Sequence, residues 1–185
     1  MLFRSGSHSA VRALADHRRN MDDEQLRALA KTGGVVQVVA FAGYVKVAEA
    51  VAPAAGRGGG GAGAAPAATT PAPCPIEAAG ATPAAPPRPG RANVADFVNH
   101  IDYAVKLIGI DHVGISSDFD GGGGITGWDS AAETFNVTLE LVRRGYTEAQ
   151  IARLWSGNLL RVWAEVETVA TRLQPLNAAR DKEAK

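Results

Sequence analysis

Two carboxylates at the end of a short apolar run, followed by glycines, are the residues of this chain best placed to do chemistry. The stretch is Gly109-Ile110-Asp111-His112-Val113-Gly114-Ile115-Ser116-Ser117-Asp118-Phe119-Asp120-Gly121. An amphipathic helix leads into a strand, and the strand ends at Asp118 and Asp120. In α/β proteins ligands gather at the carboxyl ends of strands. A carboxylate there, beside residues with almost no side chain, is an active-site lip or a pair of strand-end caps. Gly121 to Gly124 resembles a phosphate loop only loosely, because the Lys-Ser/Thr that follows in such loops is absent.

The elements that must position this lip are legible by pattern. Asn20 can cap a helix whose first turn holds Asp22, Asp23 and Glu24. Leu26, Leu29 and Ala30 give that helix an apolar face, and Gly33-Gly34 end it. Val35 to Phe41 then reads as a mostly buried strand. Val94, Phe97, Val98, Ile101, Val105 and Ile108 fall at helical spacing, with Gly109 as the stop and His112 to Ser116 as the next strand. Ser130 with Glu133, and Thr147 with Gln150, form capping-box patterns. The first opens a helix through Leu139, Leu141 and Val142 to Gly145, and the second opens Ile151 to Trp155. After Ser156-Gly157 a last helix carries Leu159, Leu160, Val162, Trp163 and Val166. Trp155 and Trp163 read as core or helix-packing residues, and His100 and His112 as structural.

Strands alternating with helices imply an α/β protein with a parallel sheet. Only about three strands are present, whereas a complete β/α barrel takes about 250 residues and this chain has 185. From Pro53 to Arg91 the sequence is almost wholly Ala, Gly, Pro and Thr. Such a composition buries too little apolar surface to offset its ordering entropy. The expected organisation is residues 1–52 as one part of an ordered domain, 53–91 as a disordered low-complexity insert or long loop, and 92–185 as the other part.

Composition excludes several functions. Nineteen Lys+Arg balance 19 Asp+Glu, so no net field gathers nucleic acid or an anionic membrane. The single cysteine, Cys74, lies in the Pro/Ala segment and forms no internal disulfide. The most apolar window, Gly34 to Ala52, is interrupted by Gln37, Lys46 and Glu49, so no membrane span is expected. A cytoplasmic location is the default expectation.

Several ordered motifs resemble membrane (renal) dipeptidases. They are Ser7-His8-Ser9-Ala10-Val11-Arg12-Ala13-Leu14, His17-Arg18-Arg19-Asn20, Asp22-Asp23-Glu24-Gln25-Leu26, Gly33-Gly34-Val35-Val36, Asp111-His112-Val113-Gly114-Ile115, Ser117-Asp118-Phe119-Asp120-Gly121, Arg144-Gly145-Tyr146 and Gly157-Asn158-Leu159-Leu160-Arg161-Val162. The resemblance covers nearly everything outside the insert. It implies a TIM-type β/α barrel of the metal-dependent amidohydrolase kind, with two zinc ions, that hydrolyses dipeptides. It further implies that His8 is a metal ligand at the end of the sixth strand, Arg19 a substrate-binding arginine, and Asp118 a catalytic acid at the end of the eighth. In such chemistry two cations activate a water, a carboxylate relays its proton, and an arginine fork holds a carboxylate or an oxyanion.

The departures from the family pattern are as informative. The family's His-x-Asp on the first strand has no counterpart. His100-Ile101-Asp102 fits by letter but falls in a helix after the seventh strand. The bridging glutamate and the other metal histidine would come from earlier strands. Arg18 stands for a usual proline and Ser116 for a usual glycine. The expectation is therefore an incomplete barrel, about the last three β/α units plus carboxyl-terminal helices, whose activity needs a complementing part. The alternative is an inactive remnant or interaction-only fragment, prone to association through unpaired strand edges.

Overall fold

Three parallel strands form one sheet, in the order β1-β2-β3. The structure is a computed structural model, described here for residues 5–47 and 91–183. The expectations for the insert and for Cys74 fall outside the described residues. The strands are β1 (Ser5–Ser9), β2 (Val35–Val39) and β3 (Val113–Ser116). Val36 pairs with Val113, Gln37 with Gly114 and Val39 with Ser116. Between Gly6 and Ser9 the register of β1 on β2 shifts, which locally re-aims the side chains of Ser7 and His8.

Helix α1 (Asp23–Lys31) joins β1 to β2, and α3 (Val94–Ile108) leads to β3. Helix α1 begins two residues later than the sequence expectation. Asp22, not Asn20, is its cap: Asp22 accepts from the Gln25 amide at 2.8 Å, and the Gln25 side chain accepts from the Asp22 amide at 3.1 Å. Asn93 and Asp96 make the same reciprocal pair at the start of α3. Gly109, at φ 88°, ends α3 in a backbone region closed to most side chains.

Alternation divides the sheet. Val36 and Val38 of β2, with Val113 and Ile115 of β3, pack against Leu26 and Leu29 of α1 and Phe97, Val98 and Ile101 of α3. Gln37 lies on the opposite face at 7 % exposure, and its Oε1 has no hydrogen-bond partner among the described residues. Gly114 makes room for it, since a Cβ there would fall on the Gln37 carboxamide.

One turn, α2 (Ala42–Val45), follows β2, and α4 (Thr134–Arg143), α5 (Glu148–Ala152) and α6 (Asn158–Glu183) follow β3. Thr147 and Gln150 do cap α5. Ser130 and Glu133 do not cap α4: Glu133 instead accepts from the Asp129 amide at 2.6 Å, and α4 starts only at Thr134. A π-helical turn, Arg153–Gly157, fuses α5 to α6, so Ser156-Gly157 is no break. That turn buries Leu154, and the next residue, Asn158, donates to the Ile110 and Val113 carbonyls at 2.7 and 2.8 Å. The entry to β3 is thereby fixed. Trp155 packs edge-on against Trp128 and donates to Thr138. Trp163 differs from expectation: it is 63 % exposed and donates only to Glu167 one turn on. The buried indole is Trp128. Among the described residues no helix is long and apolar enough to cross a membrane.

Candidate functional site

Because all three strands are parallel, their carboxyl ends open on one side of the sheet. His8 is the penultimate residue of β1, and Asp118 follows β3 by two positions. His112 lies at the other end, where its Nδ1 donates to the Gly34 carbonyl at 2.8 Å.

Arg19 returns to β1 through a tight excursion of the chain. The Ser9 hydroxyl donates to the Arg19 carbonyl at 2.8 Å. Met21 donates to Ala10, and Arg12 to Met21, both at 2.9 Å. Asn20, 1 % exposed, fills the centre of this loop: it accepts from Ala10 and donates to the carbonyls of Ala15 and Tyr44. This replaces the helix-capping role expected of Asn20.

The result is that two expected site residues meet. The Arg19 Nη2 lies 2.9 Å from His8 Nε2. A guanidinium can only donate, so His8 Nε2 accepts and the neutral ring carries its proton on Nδ1. That proton faces the Ser7 hydroxyl at 2.7 Å. A hydroxyl can accept as well as donate, so Arg19 selects this tautomer and Ser7 accommodates it.

Asp118 stands at the same end of the sheet, with β2 between it and β1. At roughly 4.8 Å per strand, about 10 Å separates the two strand ends. Asp118 is the one non-glycine residue at positive φ among those described, with φ 54° and ψ 33°. Its carbonyl accepts from Gly121 at 3.0 Å and Gly123 at 2.7 Å. Any Cβ at Gly121 would meet the Asp118 carboxylate, and one at Gly123 would meet the carbonyl oxygens of Ser117 and Asp118. Gly124 then donates to Ala40 at 2.7 Å. The glycine run is therefore a reverse turn that folds over Asp118 onto the end of β2, with no phosphate-loop character. Phe119 anchors it edge-on against Trp128.

Sequence reasoning missed the aromatic rim. His17 stacks on Tyr44 with centroids 4.5 Å apart, and Tyr44 packs on Phe41 at the same distance. Phe41 and Tyr44 directly follow β2, which was the available signal. It also missed a groove of about 650 Å³ beside β1, which gathers the guanidinium groups of Arg12, Arg18 and Arg19 over Met21 and Leu29. Such a groove favours anions.

The metal-ligand set is not complete. Among the described residues no three His, Cys, Asp or Glu side chains converge where they could hold an ion. The His8 lone pair that a metal would use is engaged by Arg19, and catalytic zinc takes three protein ligands. The His100/Asp102 pair is no substitute: His100 is buried toward Val11 and Val45, while Asp102 accepts from Arg144 and Tyr146. These residues do not by themselves fit a metal centre.

A parallel β/α unit with a polar site at its strand ends defines the class, and comparison narrows it. The chain belongs to the membrane dipeptidase family (peptidase family M19), whose pattern matches residues 6–176. It is 29 % identical over 168 residues to Dipeptidase aclJ of Aspergillus oryzae, covering 90 % of this chain and 31 % of that protein. An uncharacterized dipeptidase of Schizosaccharomyces pombe matches at 29 % over 171 residues, with the same coverages. The crystal structure of the probable dipeptidase PvdM from Pseudomonas aeruginosa superposes with a TM-score of 0.67 at 34 % identity, covering 90 % of this chain and 45 % of that one. A Rhodobacter sphaeroides metallopeptidase, solved with a phosphinate mimic of L-Ala-D-Ala, shares the fold at TM-score 0.59 and 18 % identity. The chain spans about a third of the length of the curated relatives it matches.

Proposed function

We propose that this chain is the carboxyl-terminal portion of a zinc-dependent dipeptidase. On this reading it supplies the last three β/α units of a TIM-type barrel, and a complementing part supplies the remaining strands and most metal ligands. The observation that carries the proposal is the His8–Arg19 pair, 2.9 Å apart, at the same sheet end as Asp118, in a member of this family.

The three side chains divide the work. Arg19 offers a guanidinium fork to the carboxylate of a dipeptide. Asp118 faces the amino end and accepts or returns a proton. A dipeptide spans roughly 7 Å between its charged ends, and the strand ends of Arg19's neighbour His8 and of Asp118 are about 10 Å apart. Two charged side chains reaching inward close that difference, so the pair selects length by gripping both ends of a short zwitterion. His8 would be one of the residues to hold a metal in a completed barrel, where the ion would supply an activated water, and Arg19 would serve the substrate.

A second reading, an inactive fragment that acts only by association, draws on the incomplete ligand set among the described residues and on edge strands β1 and β3. One assay separates the two. Purified chain with added zinc is expected to leave dipeptides intact, and co-expression with the amino-terminal portion of a full-length relative is expected to produce hydrolysis that Asp118→Asn abolishes. A zinc-loaded, co-folded complex without hydrolysis overturns the dipeptidase reading. Hydrolysis by the chain alone overturns the requirement for a complementing part.

A further inference from the structure

His100 is 1 % exposed and takes no part in the chemistry assigned above. Its ring nevertheless joins two segments far apart in sequence. The Val11 amide donates to Nδ1 at 3.0 Å, and Nε2 lies 2.9 Å from the Val45 carbonyl. A carbonyl only accepts and an amide only donates. Both bonds therefore exist in one state alone, the neutral imidazole with its proton on Nε2. A proton on Nδ1 would set donor against donor at Val11.

Both partners are strategic. Val11 follows Ser9 and Ala10, whose bonds pin the backbone of Arg19 and the side chain of Asn20. Val45 follows Tyr44, which accepts from Asn20 and stacks on His17. We propose that His100 is a positioning residue for the His8–Arg19 pair, and that it holds that segment in place only while its ring is neutral.

The surroundings fit this role. Asp96 on its own helix acts on the ring, and Asp16 from the loop after β1 and Lys46 from the turn after β2 line the same cleft. Lys46 lies 3.8 Å from Asp96, so part of the acidic field is spent on it. Burial pushes the His100 pKa below its ordinary value of 6.5, against the opposing pull of the Val45 bond and of Asp96. The unfolded chain then takes up the proton first as pH falls. The contribution of His100 to stability is complete above about pH 6.5 and is lost as pH drops through the window between that value and the lower folded one.

The functional consequence rests on the dipeptidase reading, but the test does not use activity. Nitrogen-labelled histidine NMR on the whole chain is expected to show His100 as the Nε2-protonated tautomer at pH 7. Val11 and Met21 amide signals should move with the same acid midpoint as His100, and Val11 exchange should quicken roughly tenfold beyond its ordinary pH dependence, the equivalent of about one hydrogen bond. His100→Gln keeps a donor and an acceptor without a titration, so it should retain Val11 protection and abolish the acid step. His100→Leu should lose the protection. Val11 and Met21 signals indifferent to His100 protonation overturn the proposal, as does an unchanged acid step in His100→Gln. Wild-type and His100→Gln readings decide the matter even where His100→Leu fails to fold.

Discussion

At the scale of the residue, Asp118 is where conformation and chemistry collide. Its φ of 54° suits Asp and Asn better than other side chains, because their short polar groups tolerate the left-handed region. Asp118→Asn should therefore leave thermal stability within about 0.5 kcal/mol while removing the carboxylate, and Asp118→Leu should cost about 1–2 kcal/mol. Gly123→Ala should be worse, roughly 2–4 kcal/mol, because its Cβ would lie 2.1 Å from the Ser117 carbonyl oxygen. Urea or thermal unfolding of the three variants checks that order, and an equal loss in all three would contradict the reverse-turn reading of the glycines. The acids and the glycines were plain in the sequence. The turn that ties them together was not, since two amides converging on one carbonyl depend on where the end of β2 stands.

At the scale of the element, local patterns were readable to the extent that local forces decided them. Gly109 stops α3, and Thr147 with Gln150 starts α5, because both signals act within four residues. Asn20 was misread because its partners are gathered by the fold of its own loop, Ala10 and Ala15, and by the distant turn at Tyr44. The two residues now make a paired prediction. Asp22→Ala removes an exposed cap and should cost about 1 kcal/mol. Asn20→Ala leaves the Ala10 amide and two carbonyls without their buried partner and should cost roughly 2–3 kcal/mol. Chemical denaturation of both variants should show Asn20 as the larger loss, and the reverse order would restore Asn20 as a simple cap. Trp163 was misread for a related reason: helical spacing does not reveal which turn of α6 still touches the sheet, and Val162 is the last buried residue among those whose side chains are described.

At the scale of the whole molecule, alternation of strands and helices was enough to expect three parallel strands, and the sheet has that order. The resemblance named His8 and Arg19 singly, and their contact emerges only from the folded loop between them; His100 read as structural, with no sequence signal for the clasp it makes. The two margins of the long insert are fastened by contacts among the described residues. On the departing side Val45 is bonded to His100 and Lys46 to Ala42. On the returning side Arg91 pairs with Asp129 at 2.7 Å, Ala92 is 1 % exposed and accepts from Thr126, and Asn93 caps α3.

Anchors of that kind turn the insert into a port. The entropy of closing a loop grows only with the logarithm of its length, about 0.6 kcal/mol per doubling. Replacing residues 53–86 with a short Gly/Ser linker should accordingly shift unfolding by no more than about 1 kcal/mol and leave the Arg91–Asp129 and His100–Val45 bonds in place. Unfolding midpoints of the shortened chain test this. If they hold, the same gap should accept a foreign module at similar cost, letting cargo be added between β2 and α3 without disturbing the strand ends that carry His8 and Asp118.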